Sequence, residues 1–138
     1  MKESKILDCT LRDGGYYNNW DFPNALVNDY LKTMSQVGVD YVELGFRSFK
    51  TKDFKGPTWY TTESYLRSLP IPKDLIIGVM VNAFEIISHP LGINKATKLM
   101  FTNARKSKIK LVRLACHFEE FNETTKICKI LQKMGYRV

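Results

Sequence analysis

The chain has 138 residues, 44% of them hydrophobic and 25% charged, which is the composition of an ordinary globular domain. No apolar run approaches the roughly 18–20 residues of a membrane helix, and the N-terminus lacks the apolar core of a signal peptide. The three cysteines are an odd number without CxxC spacing, which argues against a disulfide framework or a zinc site. We therefore expect a cytoplasmic protein that has no membrane partner.

The net charge of +7 raises the question of an anionic partner. Lysines and arginines concentrate in residues 47–55 and 95–110. No recognised nucleic-acid motif accompanies these segments. We interpret them as solvated outer surfaces and predict no nucleic-acid partner, with binding of an anionic partner as the alternative.

Four near-continuous apolar runs are typical of parallel strands that are covered on both faces. They begin at residues 6, 41, 75 and 111, at nearly equal intervals, which indicates a repeated unit of strand plus connection. The predicted strands are Ile6–Leu11, Tyr41–Phe46, Leu75–Val81 and Leu111–Cys116.

Helical segments lie between the predicted strands. The first follows Asp21, with Pro23 in its first turn and Gly38 as its stop. Its predicted apolar stripe consists of Leu26, Tyr30, Met34 and Val37. The later predicted helices span residues 58–68, 93–106 and 123–134, and residues 136–138 look like the start of a fifth strand.

This alternation predicts an α/β fold with a parallel sheet and right-handed crossovers. A (β/α)₈ TIM barrel uses roughly 31 residues for each unit, so four units and the start of a fifth strand account for the chain. We predict that residues 1–138 form the N-terminal half of such a barrel, truncated after about four β/α units. An open doubly wound sheet, which binds ligands where its strand order reverses, is the alternative.

Polar residues accumulate where the predicted strands end, and parallel α/β folds hold their working residues there. Arg12 and Asp13 come at the end of the first strand, and Glu43 lies in the second. A carboxylate at such an end is a candidate ligand for Mg²⁺ or Mn²⁺, and a neighbouring arginine can stabilise an oxyanion. Gly14 and Gly15 would let a ligand approach the backbone and would permit positive φ. A purely structural Arg–Asp pair, with the glycines as a turn, fits the residue types equally well.

Three stretches resemble one enzyme superfamily. LDCTLRDGG resembles the T-L-R-D-G signature of the metal-dependent aldolases and Claisen-type lyases, and YVELGF resembles their second strand. VRLACHFEE resembles the fourth strand of the hydroxy-oxovalerate aldolases. The superfamily includes 4-hydroxy-2-oxovalerate aldolase, 3-hydroxy-3-methylglutaryl-CoA lyase, isopropylmalate and homocitrate synthases, and pyruvate carboxyltransferase domains.

The resemblance implies a (β/α)₈ barrel that binds one divalent cation, Mg²⁺ or Mn²⁺. Its reaction would form or cleave a C–C bond next to a carbonyl, through a metal-stabilised enolate of a pyruvate-like oxo-acid or acyl substrate. Asp13 would be a metal ligand and Arg12 would stabilise the enolate. Glu43 would orient Arg12, although an interior salt bridge alone would also explain a glutamate in a buried strand.

The remaining candidates surround these three residues. His117, Asn82 and Gly14 are predicted substrate contacts, with a structural histidine as the alternative for His117. Tyr16 is a further predicted catalytic residue, because it lies where the hydroxy-oxovalerate aldolases have a catalytic histidine and a tyrosine can relay protons. Because an unperturbed tyrosine has a pKa near 10, it is a poor base at neutral pH, and 4-hydroxy-2-oxovalerate is not the predicted substrate.

The chain departs from the superfamily in one further respect. The superfamily takes other metal ligands from an H-x-H pair on a late strand, whereas this chain has only His89 and His117. We therefore expect the 138-residue chain to be inactive by itself. The unpaired edges of a half barrel invite pairing with another chain, so we also expect a homo-oligomer. A small α/β domain that binds an anionic or phosphorylated ligand without catalysis is the alternative function.

Overall fold

The computed structural model describes residues 4–138 as an α/β fold in which four parallel strands alternate with helices. Hydrogen-bonded neighbours in the sheet follow the order β1-β2-β3-β4, and every pair is parallel. The strands are β1 (Leu7–Asp8), β2 (Tyr41–Phe46), β3 (Ile76–Asn82) and β4 (Ile109–Ala115). The predicted parallel sheet is therefore confirmed, and no helix among these residues is long and apolar enough to cross a membrane.

The helices occupy the connections between strands. They are α1 (Thr10–Asn18), α2 (Asn24–Gln36), α3 (Pro57–Tyr60), α4 (Glu63–Ser68), α5 (Ala83–Ile87), α6 (Gly92–Met100) and α7 (Phe121–Lys133). Short 3₁₀ turns at Ala104–Lys106 and Phe118–Glu120 precede β4 and α7.

The strand order is sequential across the sheet, so the described residues contain no reversal of the kind that marks a doubly wound fold. The predicted fifth strand begins at the outer edge of β4. There the amide of Arg137 donates to the carbonyl of Lys110 at 2.9 Å, and the amide of Val112 donates to the carbonyl of Arg137 at 2.8 Å. This parallel bridge continues the sequential order that a barrel requires.

The first predicted strand, Ile6–Leu11, is wrong in its second half. Strand β1 has only two residues, and the TLRDGG segment lies inside helix α1. The side chain of Asp8 causes this early turn, because Oδ1 accepts a 2.9 Å hydrogen bond from the amide of Thr10 and Oδ2 accepts one of 3.0 Å from its hydroxyl. Asp8 also accepts a hydrogen bond from the hydroxyl of Tyr30. Gly14 and Gly15 do not use the positive φ that glycine permits, since both are helical.

The apolar stripe of the first long helix, α2, is rotated from its predicted position. Val27 and Leu31 are fully buried, whereas Leu26 and Val37 are exposed. Gly38 has φ of 80° and ends this region, as predicted. Tyr30 and Met34, the other two residues of the predicted stripe, are partly buried against the same core as Val27 and Leu31, so the predicted stripe is half correct.

The two middle helical predictions were too long. The 58–68 segment is broken at Thr61, whose φ is 38° and whose hydroxyl donates to the carbonyl of Thr58 at 3.0 Å. The 93–106 segment ends at Met100, and helix α5 was not predicted. Asn82 starts α5 because its Oδ1 accepts a 3.1 Å hydrogen bond from the amide of Phe84.

The two faces of the sheet differ in chemistry. One face packs against the helices through the buried aliphatic residues Val42, Leu44, Ile77, Val79, Val81 and Val112. Because strand side chains alternate, the other face carries the intervening residues, and the register brings them together. These residues are Glu43 paired with Gly78, Met80 paired with Arg113, and Asn82 paired with Ala115. This polar face holds the candidate site.

Candidate functional site

The centre of the site is one buried carboxylate that is held by two arginines. Glu43 on β2 is 0% exposed, and its Oε2 accepts a 2.8 Å hydrogen bond from Nε of Arg12 on α1. Arg113 on β4 donates from Nε to Oε1 at 2.6 Å and from Nη2 to Oε2 at 3.0 Å. The structure thus places Glu43 against Arg12, as predicted, and adds Arg113 to the pair.

The carboxylate of Glu43 stabilises the charged form of both arginines. Burial disfavours the charge on Arg12, but its hydrogen bond to Glu43 and the negative charge there outweigh burial and raise the pKa of the Arg12 guanidinium. The hydrogen bond to Glu43 also raises the pKa of Arg113. Burial and the charge of Glu43 together raise the pKa of the neighbouring Cys9 thiol, so Cys9 is a weak nucleophile at neutral pH. With Asp13, which pairs with Arg12, the cluster contains two cations and two anions, so its formal net charge is zero.

Asp13, the predicted metal ligand, lies beside this cluster. Its Oδ1 is 2.6 Å from Nη1 of Arg12, and its side chain is 62% exposed. Within residues 4–138 no three histidine, cysteine, aspartate or glutamate side chains come together in a metal-binding group. Sites for Mg²⁺ or Mn²⁺ surround the ion with about six oxygen ligands. One exposed carboxylate that already pairs with an arginine does not make such a site. Metal binding therefore stays a prediction that requires ligands from outside the described residues.

Three of the predicted residues meet at the carboxyl ends of β3 and β4. Tyr16, Asn82 and His117 line a depression of about 200 Å³. Arg113 lines a larger one of about 520 Å³. The two depressions adjoin, because both are lined by Met80, Ala115 and Cys116. A small ligand there would contact side chains that are far apart in the sequence.

Asn82 and His117 also take part in hydrogen bonds that stabilise the local fold. Asn82 caps α5, so part of its hydrogen-bonding capacity is already used. The backbone of His117 is held by Glu120, whose Oε2 accepts a 3.0 Å hydrogen bond from the amide. The His117 side chain is exposed and lines the smaller depression. Gly14, the third predicted substrate contact, is half-buried in α1 and lines neither depression.

An aromatic wall bounds the site on the α1 side. Trp20 is 4% exposed, and its ring centroid lies 4.7 Å from that of Tyr16, 5.5 Å from that of Phe46 and 4.4 Å from that of Trp59. Its indole Nε1 donates to the carbonyl of Arg12 at 2.9 Å. Trp20 therefore fixes the backbone of Arg12, while Glu43 fixes its side chain.

The contact between Arg113 and Glu43 was not predicted from the sequence. An arginine inside an apolar strand was a signal, because burial of such a side chain requires a partner. The partner could not be assigned without the register, which shifts between Ile77 and Gly78 and aligns Arg113 with Met80. Cys116, the last residue of the predicted fourth strand, is exposed, because β4 ends at Ala115.

Comparisons with known proteins give one informative result. No family model matches the chain, and no curated protein does. The chain is similar to a crystal structure of "the N-terminal domain of a putative aldolase from Bacteroides vulgatus", with 31% sequence identity and a TM-score of 0.75. The similarity covers 96% of this chain and 42% of that chain, so the chain spans less than half the length of the solved protein. The fold thus resembles an aldolase N-terminal domain.

Proposed function

We propose that this chain is the N-terminal half of the catalytic barrel of an aldolase or lyase in the metal-dependent aldolase and Claisen-type lyase superfamily. The observation that carries the proposal is the pair of arginines held by the fully buried Glu43: Arg113 lines the larger depression, and Arg12, which lines neither, shares Oε2 of Glu43 with it. The resemblance to an aldolase N-terminal domain supports the same reaction class. The substrate is a small oxo-acid or acyl compound, and the reaction is C–C bond cleavage or formation.

Arg12 supplies the electrostatic part of this chemistry. When a bond to the carbon next to a carbonyl breaks, the electron pair delocalises onto the carbonyl oxygen as an enolate. A positive charge that is already in place stabilises this oxygen without reorganisation, which is the main advantage of a preorganised site. Glu43 is a positioning residue, because it is fully buried and both of its carboxylate oxygens are bound to the two arginines.

The other components remain proposals for the longer protein. No step above depends on a metal, since Asp13 alone does not form a metal site among the described residues. Titration with Mn²⁺ tests this incompleteness, and micromolar or tighter binding to the 138-residue chain would refute it. We further propose that the chain self-associates through its sheet edges, and a clean monomer in light scattering would contradict this.

Exchange of the methyl protons of pyruvate in D₂O, followed by NMR in the natural protein, tests the proposed function. Enolate formation replaces these protons with deuterium. We expect Arg12→Gln to slow exchange by about 10²- to 10³-fold, the loss typical of one oxyanion-stabilising donor. Arg67→Gln, a change of the same type at an exposed position of α4, is the matched control and should exchange at the wild-type rate. Equal rates in both variants would contradict the proposal.

Binding of an anionic ligand without catalysis is the second candidate function. A basic depression of about 310 Å³ favours it, since Arg105, Lys110 and Lys133 are among its lining residues. Lys110 already donates to the carbonyls of Ala104 and Ser107, at 2.6 and 2.8 Å. This function predicts salt-sensitive binding of inorganic phosphate that Arg12→Gln leaves unchanged.

A further inference from the structure

A further depression, which we call the Arg47 depression, lies beyond the carboxyl end of β2. Its volume of about 420 Å³ is within the range of small-molecule sites. Its walls are the loop after β2, the turn between α3 and α4, and the end of α6. The lining residues are Arg47, Ser48, Phe49, Lys50, Tyr60, Thr62, Leu99 and Met100. The Arg47 depression shares none of them with the two depressions of the candidate site.

Arg47 brings a positive charge to this depression without a hydrogen-bonded carboxylate. Its side chain is 13% exposed, and neutral carbonyls accept its hydrogen bonds: Nε donates to Met100 at 2.9 Å and Nη1 to Thr61 at 2.5 Å. In the described part of the chain, Glu63 is the one carboxylate within salt-bridge distance. Its Oε1 lies 3.8 Å from Nη2, which is too far for a hydrogen bond, and accepts instead from the hydroxyl of Ser107 at 2.7 Å. Within residues 4–138, Nη2 of Arg47 therefore has no hydrogen-bond partner.

The three well-buried or half-buried arginines of the chain differ in this respect. Burial lowers the pKa of Arg47, and the charge of Glu63 offsets only part of that effect. For Arg12 and Arg113, hydrogen bonds to Glu43 outweigh burial and raise the pKa. Because a buried charge is costly unless it is paired and hydrogen-bonded, an anion that bonds to Nη2 would stabilise Arg47.

The loop that carries Arg47 is held in place without a ligand. The amide of Arg47 donates to the carbonyl of Met80 at 2.9 Å. Oε2 of Glu85 accepts from the hydroxyl of Ser48 at 2.8 Å and from the amide of Phe49 at 3.1 Å. The depression is therefore preformed, which lowers the conformational cost of binding.

The charges around the depression leave room for an anion in it. Arg47 and Lys50 are among its lining residues, and none of the lining residues in the described part of the chain is acidic. Glu63 and Glu85 balance the two cations formally, but neither lines the depression, and each accepts a hydrogen bond from a serine. An incoming anion thus meets the cations and not the carboxylates.

The remaining lining favours a ligand with an apolar body. Phe49, Leu99 and Met100 supply apolar surface, and Leu99 is 64% exposed although its side chain is large and apolar. Inorganic phosphate would leave that surface in water, whereas a neutral hydrocarbon would leave Arg47 without an acceptor. The surface and the cation are both satisfied by a molecule that combines an anionic group with an apolar part.

We infer that the Arg47 depression binds a small organic carboxylate with an apolar chain or ring. The carboxylate accepts from Nη2 of Arg47, and the apolar part covers Leu99 and Met100. This second ligand site is separate from the candidate site, so the inference goes beyond the proposed function and does not depend on it.

The test compares 3-phenylpropanoate with 3-phenylpropan-1-ol, which has the same apolar body without the charge, by calorimetric titration of the natural protein. We expect the carboxylate to bind about tenfold more tightly, the contribution of one hydrogen bond to a charged group. Lys50→Gln should weaken carboxylate binding by about two- to fivefold, because an exposed charge contributes less than a buried one.

Leu99→Asp tests the location of the site, because Leu99 is exposed and its substitution leaves the core intact. The variant should weaken binding of 3-phenylpropanoate at least about tenfold, since it removes apolar contact and adds a charge that repels the ligand. Leu26→Asp, the same change at an exposed leucine of α2, is the matched control and should bind as wild type does. Arg47 itself is not the test position, because its bonds to Met100 and Thr61 join α6 to the α3–α4 turn.

Four outcomes would overturn the inference. Equal affinity for the acid and the alcohol would mean that Arg47 does not recognise the charge. Unchanged binding in Leu99→Asp, or an equal loss in Leu26→Asp, would mean that the ligand is bound elsewhere. A wild-type protein that does not bind 3-phenylpropanoate at millimolar concentration would mean that Arg47 only joins elements of the fold.

Discussion

Substitution of Gly15 by alanine tests whether the TLRDGG glycines serve packing or ligand approach. An added Cβ would lie 2.1 Å from Cδ1 and 2.4 Å from Cγ of Trp20, and no real Cβ tolerates such contacts. Trp20 cannot move freely, since it is buried against Phe46 and Trp59. Overpacking of this kind costs about 1–3 kcal/mol. Loss of the hydrogen bond from the indole to Arg12 destabilises the fold by about 1 kcal/mol more. The better helix propensity of alanine offsets about 0.5–1 kcal/mol of this loss.

The expected net effect of Gly15→Ala is a loss of about 2 kcal/mol in the free energy of unfolding. Gly14→Ala is the matched control, because its Cβ would meet only Cζ and Cε1 of Phe22, at ordinary distances of 3.7 and 3.9 Å. That variant should be neutral or stabilised by up to about 1 kcal/mol. Urea titration followed by tryptophan fluorescence measures both variants, since Trp20 and Trp59 lie in the affected wall. Equal stability of the two variants would refute the packing argument.

Three further predictions follow from the contacts. Glu43→Gln should lower the free energy of unfolding by about 3 kcal/mol in urea titration, because it removes the buried charge that binds both arginines and leaves Arg12 only the exposed Asp13 as a counter-charge. Burial raises the pKa of Asp8, but hydrogen bonds outweigh it and hold the pKa below 3.8. The stability that Asp8 contributes is thus present above pH 3.8 and is lost below it. The difference in the free energy of unfolding between wild type and Asp8→Asn should therefore shrink as the pH falls from about 5 to about 2. A constant difference would contradict this. Iodoacetamide at pH 8 should label the exposed Cys116 before Cys128, whose pKa is raised by burial, as mass spectrometry can check.

Hydrophobic pattern was sufficient to predict most of the sheet. The predicted strand Tyr41–Phe46 coincides with β2, because a continuous apolar run flanked by polar residues leaves little freedom in its bounds. The error at Ile6–Leu11 arose from a local side-chain contact. Asp8 binds Thr10 and starts a helix two residues into the apparent strand, and such capping competes with strand pairing without changing the hydrophobic pattern.

The sequence predicted those site residues that can be identified without knowing which residues they contact in the fold. Arg12 was identified from its own motif, and Glu43 from the cost of a charge in a buried strand. The role of Arg113 depends on which strand residues face Glu43, and a register shift near Gly78 decides this. A one-residue change of register reverses the face of every side chain, so pattern alone could not place Arg113.

The backbone conformation of Trp20 gives a physical reason for the glycine in the TLRDGG motif. Trp20 has φ of 59°, a left-handed conformation that costs a bulky residue of order 1–3 kcal/mol. Three hydrogen bonds hold it there: its amide donates to the carbonyl of Gly15 at 3.0 Å and to Oδ1 of Asn18 at 3.1 Å, and its carbonyl accepts from Thr58 at 2.8 Å. The strained turn presses the indole onto Gly15 and aims its N–H at the carbonyl of Arg12. Gly15 thus makes room for the indole of Trp20, which positions Arg12. This explains why Gly15 and Arg12 lie in one motif.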